Sequence, residues 1–126
     1  MTRQQLARIR MNLRDDERKH IEIMAFLDGD QCICDEEIHG QVRDDYGDGP
    51  RMYPALLTPD FSDSGAPVFH MEWGGTDQTR TSLDFGVKRP VAEGQEVNCH
   101  EDGEQYRYDI TRVEVLLDAS AGSRSV

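Results

Sequence analysis

The side chains best suited to chemistry are thiols and imidazoles. Cys32 and Cys34 stand one residue apart, His39 follows, and Cys99-His100 lies far along the chain. Thiolate and imidazole suit zinc, yet structural zinc sites favour cysteine pairs separated by two to four residues, with a second pair to match. That spacing is missing. The cysteines therefore read as small apolar core residues, and Cys32, Cys34, Cys99 and His100 are the one metal combination to look for. Hard-oxygen ligands are offered by Asp28 and Asp30, and by Asp44, Asp45 and Asp48. No Glu closes either run into a calcium-binding loop, so both read as solvated loops. His20, His39, His70 and His100 are the available general bases, and Ser62, Ser64 and Ser82 the available nucleophiles. Neither a Gly-x-Ser-x-Gly elbow nor a phosphate-cradling glycine loop ending in Lys-Ser or Lys-Thr is present. The expectation is a protein without catalytic turnover and without a cofactor.

Most informative for the fold is the stretch from Gly94 to Leu117. Asp102-Gly103 sits between alternating apolar positions, the mark of a tight hairpin turn with positive φ at both central residues. A two-residue loop there sets Cys99 opposite Tyr106 and Val97 opposite Tyr108 on one face, with His100, Arg107 and Asp109 on the other. After Thr111 the apolar parity passes to Val113, Val115 and Leu117, which predicts a bulge near Thr111-Arg112.

Upstream, Thr2-Arg3-Gln4-Gln5 fits a capping box, and Leu6, Ile9 and Leu13 follow at helical spacing. These predict an amphipathic helix from Arg3 to somewhere between Arg18 and Phe26, with Leu6, Ile9 and Leu13 as an interface stripe and Asp28-Gly29-Asp30 as the stop. Weak alternation from Gln31 to Ile38 suggests a strand carrying Cys32 and Cys34. Gln41-Val42-Arg43, then Tyr53/Ala55/Leu57, Phe69/Met71/Trp73 and Leu83/Phe85/Val87, mark further strands. Pro54 would confine its strand to an edge or a bulge. Pro59-Asp60-Phe61-Ser62-Asp63-Ser64-Gly65-Ala66-Pro67 reads as a second long loop. The fold class expected is α+β, mainly β: an N-terminal helix followed by a small antiparallel β-barrel or sandwich with long loops. Its segments are residues 1–27, 28–118, and a polar tail over 119–126.

The 126 residues carry a formal charge of −11, and 12 of the 14 basic residues are Arg. Excess acid with scarce Lys resembles the composition of proteins from extreme halophiles, where salt screens the self-repulsion. Such a surface argues against wrapping nucleic acid, though not against lining a passage for it. No apolar run is long enough to span a bilayer, and three cysteines make no secreted disulfide framework.

Glu93-Gly94-Gln95-Glu96-Val97, Gly103-Glu104-Gln105-Tyr106-Arg107-Tyr108 and Ile110-Thr111-Arg112-Val113-Glu114 together resemble the small head-tail connector, or stopper, proteins of tailed viruses. The resemblance covers the last third of the chain. It implies a homo-oligomeric ring in the virion, assembled in the host cytoplasm at the head-tail junction. Such a ring extends the portal channel, retains DNA in passing contact and docks the tail, with portal or adaptor and tail proteins as neighbours and no membrane. By position, Asp60, Phe61, Ser62 and Asp63 are the expected channel loop. Deleting Arg3 to Leu13 is expected to abolish assembly and leave the barrel folded. The rival reading is an acidic cytosolic binding or regulatory module, linked to metal through Cys32, Cys34 and Cys99.

Overall fold

A computed structural model describes residues 4–16, 18–45, 49, 51–61, 67–73 and 81–119. Eight antiparallel strands follow one another around a closed barrel: β1 (Gln5–Leu13), β2 (Lys19–Leu27), β3 (Ile38–Asp44), β4 (Arg51–Phe61), β5 (Pro67–Trp73), β6 (Thr81–Asp84), β7 (Glu96–Glu101) and β8 (Glu104–Asp118). The mainly-β expectation holds. The helix does not. Residues placed in it are the first two staves, and β1 closes the barrel by pairing with β8 from Gln5↔Asp118 to Leu13↔Tyr108.

Two patterns compete in β1. Leu6, Ile9 and Leu13 fit a helix, whereas Ala7, Ile9, Met11 and Leu13 fit a strand. The second wins because Ala7, Ile9 and Met11 are fully buried, and because β2 repeats the period with Ile21, Ile23, Ala25 and Leu27. Asp15, at φ 68°, turns the chain between the two strands. The deletion of Arg3 to Leu13 would thus open the barrel instead of trimming an appendage.

Eight strands enclose a lumen that side chains can fill. Here Tyr108, Phe69, Phe85, Ile9, Met11 and Leu57 are among those that fill it. Gly40 allows the tightest approach: a Cβ there would stand 2.4 Å from the Glu22 carbonyl oxygen and 3.0 Å from Ile23 Cγ2. The stretch expected as a strand from Gln31 to Ile38 is instead a plug under the end of the barrel formed by Leu27 and Ile38. Cys32, Ile33 and Cys34 are all buried in succession, which no alternating strand allows. Ile33 bridges Leu27, Cys34 N–H donates to the Phe26 carbonyl, and Val91 N–H donates to the Gln31 carbonyl.

Proline does not mark an edge here. Pro54 pairs with Gln41 on β3, and the described part of the β5 ladder reaches Ala55 opposite Trp73. Pro59 pairs with Phe69 on β5 but lies beyond Leu57, where the β3 ladder stops. The missing N–H of Pro59 therefore falls beside a ladder that has already ended. The C-terminal hairpin is as expected: φ is 51° at Asp102 and 84° at Gly103, Cys99 faces Tyr106 and Val97 faces Tyr108. Its parity changes where anticipated, because Arg10 pairs with Arg112 and Met11 with Ile110, leaving Thr111 as the extra residue.

Candidate interaction face

Since Ala7, Ile9 and Met11 point into the barrel, Leu6, Arg8, Arg10 and Asn12 point out of it. Neighbours across a strand pair share a face. Leu6 stands opposite Phe26 on β2 and Leu117 on β8. The three surround a notch of about 180 Å³, completed by Gln4, Gln5 and Ala119. Leu117 is 65% exposed and neighbouring Met24 36%. Gln5 donates through Nε2 to Asp118 at 3.1 Å, but its Oε1 is buried and has no hydrogen-bond donor among the described residues.

Farther along the same outer wall the side chains are charged. Arg8 reaches Glu22 at 3.5 Å and Glu114 at 3.7 Å, and Arg112 reaches Glu114 at 2.6 Å. Arg10 Nε donates to Asn12 Oδ1 at 3.3 Å, and its Nη2 contacts His20 Nδ1 at 3.4 Å. His20 is buried although it is on the outer side of β2. Burial, and then the positive charge of Arg10 and Arg43, lower its pKa and favour the neutral ring that can accept from Arg10. Past the end of β1, Arg14 clamps β8 to β7. It contacts Asp109 at 2.6 and 3.1 Å and Glu96 at 2.7 Å, and its hydrogen bonds hold both carboxyls below their ordinary pKa.

The expected interface stripe is divided by this geometry. Only Leu6 of the three faces outward into the notch; Ile9 is fully buried and Leu13 packs against the core. The metal combination is not assembled: among the described residues no three His, Cys, Asp or Glu side chains gather to hold an ion. Cys99 points into the barrel while His100 points out, and Cys32 and Cys34 are in the plug. Burial raises the pKa of all three thiols, that of Cys99 to about 12. Asp28 Oδ1 accepts the backbone N–H groups of Asp30 and Cys32, which makes it a turn cap. Asp45 pairs with Arg43; Asp48 lies outside the described residues.

Ser82 stands between His70 and His100 on the outer face, yet among the described residues no side-chain hydrogen bond joins it to either. Ser64 lies outside the described residues. Of the expected channel loop, Asp60 and Phe61 end β4, and Ser62 and Asp63 lie outside the described residues. Sequence reasoning missed Phe26 as a surface residue and Arg14 as a clamp. No helix among the described residues is long and apolar enough to cross a membrane. No family model matches this chain, and neither a curated protein nor a solved structure matches it significantly.

Proposed function

We propose that this protein is an assembly component, a rigid barrel that works through what its outer face touches. The observation that carries the reading is the notch of Leu6, Phe26 and Leu117, with Gln5 Oε1 beside it, buried and without a donor among the described residues. A buried acceptor without a donor is costly, and a docking chain that supplies an N–H would remove that cost. The partner is a second copy. A chain with net charge −11 presents carboxylates to Arg8, Arg10 and Arg112 on the same outer wall of its neighbour, and head-to-tail contacts of unlike patches close into rings. The exterior belt of Arg8, Arg10, Glu22 and Glu114 around an apolar lumen is the inverse of a lipid-facing barrel.

The setting we propose is the head-tail junction of a tailed virus of a salt-loving host. There the ring would extend the portal channel, retain DNA and dock the tail. The hairpin of β7 and β8 with its Thr111 bulge supports this setting, and so does an acidic surface to which passing DNA would not adhere. The proposal needs no N-terminal helix.

Native mass spectrometry from high salt tests the reading. We expect a closed oligomer that dissociates on Leu117→Asp with the barrel's circular dichroism unchanged. A wild-type monomer across the accessible salt range refutes it.

A further inference from the structure

The end of the barrel away from the plug holds a different constellation. Lys19 shares the inward face of β2 with Ile21, and Glu101 shares the inward face of β7 with Cys99. The Lys19 ammonium lies 5.5 Å from the centroid of the Trp73 ring and 3.5 Å from Glu101 Oε2. Trp73 is fixed on two sides: its indole N–H donates to the buried Thr81 hydroxyl at 3.2 Å, and Tyr53 meets it edge to face at 5.5 Å. Asp44 stands beside Lys19 in the register of β3.

An oriented indole face with carboxylates around it is a cation receptor. We infer that this mouth is a binding site for an alkylammonium ligand, which enters by displacing Lys19. The chain's own ammonium shows what the site accepts. Both Lys19 contacts are at long range for their type, and its side chain keeps 18% of its surface open to solvent. Lys19 can therefore swing out and recover hydration. A methylated ammonium is more weakly hydrated than a primary one, and it gains more from the indole face. Once Lys19 leaves, Glu101 supplies the compensating charge. The inference is independent of the assembly reading, since the mouth and the notch lie at opposite ends of the barrel.

Trp73 is the sole tryptophan of the chain, so its emission reports on this site alone. The probes are tetramethylammonium chloride and n-butylammonium chloride, titrated against sodium chloride at matched ionic strength. We expect a saturable emission change in the wild type, at least about tenfold tighter in Lys19→Met and about tenfold weaker in Glu101→Gln. A change no different from that with sodium chloride, in both wild type and Lys19→Met, overturns the inference. So does saturation confined to Lys19→Met, because Lys19 would then be a permanent plug. Should Lys19→Met fail to fold, the wild type and Glu101→Gln decide alone.

Discussion

Replacing Ile9 and Leu6 by alanine, one at a time, separates a strand from a helix and a core from an interface. Ile9 is 0% exposed, at the centre of a stave that pairs on both sides with β2 and β8. Alanine removes three buried carbons, about 2.4 kcal/mol at roughly 0.8 kcal/mol each. The cavity left in a closed barrel, where neither flank can collapse, brings the cost to about 3–4 kcal/mol. For a domain of this size that lowers Tm by on the order of 10–15 °C. Leu6 is half-buried on the outer surface, so Leu6→Ala should cost under about 1 kcal/mol in the isolated chain. Its effect should appear in association, as a loss of oligomer at fixed concentration. Urea unfolding followed by circular dichroism measures the first quantity, and light scattering in high salt the second. On an amphipathic helix Leu6 and Ile9 would share one stripe and change both readouts together. Equal destabilisation by the two substitutions, or an Ile9→Ala cost below about 1 kcal/mol, would refute the placement of β1.

Three further outcomes follow from the packing and the charges. Gly40→Ala should destabilise by about 1–2 kcal/mol: overpacking costs up to about 3 kcal/mol, and reduced unfolded-state freedom returns about 0.5–1 kcal/mol; a neutral or stabilising result in urea would show that β2 yields at Glu22. Arg14→Gln should flatten the acid limb of the stability curve. Asp109 and Glu96 are held below their ordinary values of 3.8 and 4.5, so their contribution is complete above those values and is lost as pH falls through the depressed ones; an unchanged acid limb at low salt counts against the clamp. His20 has its pKa lowered from 6.5, so the unfolded chain takes up a proton first and stability declines as pH drops below 6.5; an NMR titration that places His20 at or above that value contradicts its burial beneath Arg10 and Arg43.

What could be read without coordinates depended on how local the signal was. The β7–β8 hairpin was legible because Asp102-Gly103 states its own turn, and alternation on either side states the register. Thr111 announced itself as the point where the apolar parity slips. The N-terminal third was misread because Leu6, Ile9 and Leu13 satisfy a helical period and β1 a period of two in the same nine residues. Ala7, the residue that discriminates, has a small side chain and a high helix propensity. The decisive contact, β1 against β8, joins residues about a hundred positions apart and leaves no local trace. For the same reason neither candidate site could be read directly. The notch draws on both ends of the chain, and the mouth brings Lys19, Trp73 and Glu101 from three separate strands.

Closure also limits how this molecule can meet anything else. An open sheet can recruit a partner by offering an unpaired strand edge, so that backbone hydrogen bonds supply the affinity. Here every strand from β1 to β8 has a neighbour on both sides, and among the described residues unpaired backbone is confined to strand ends such as Thr58–Phe61 on the β3 side. Recognition has to pass through side chains, on the outer wall or at a mouth. The lumen is packed with residues such as Tyr108, Phe69 and Met11, and the plug seals the end at Leu27. The notch at Leu6 and the mouth at Trp73 are places among the described residues where apolar or aromatic surface meets unsatisfied or exchangeable polar groups. A closed wall moves as one piece, so a ligand at the mouth has no hinge through which to reach the notch. Occupancy of the Trp73 site and oligomer formation through Leu6 should therefore be additive. A tetramethylammonium titration that shifts the monomer–oligomer equilibrium would show that the barrel is less rigid than its ladders imply.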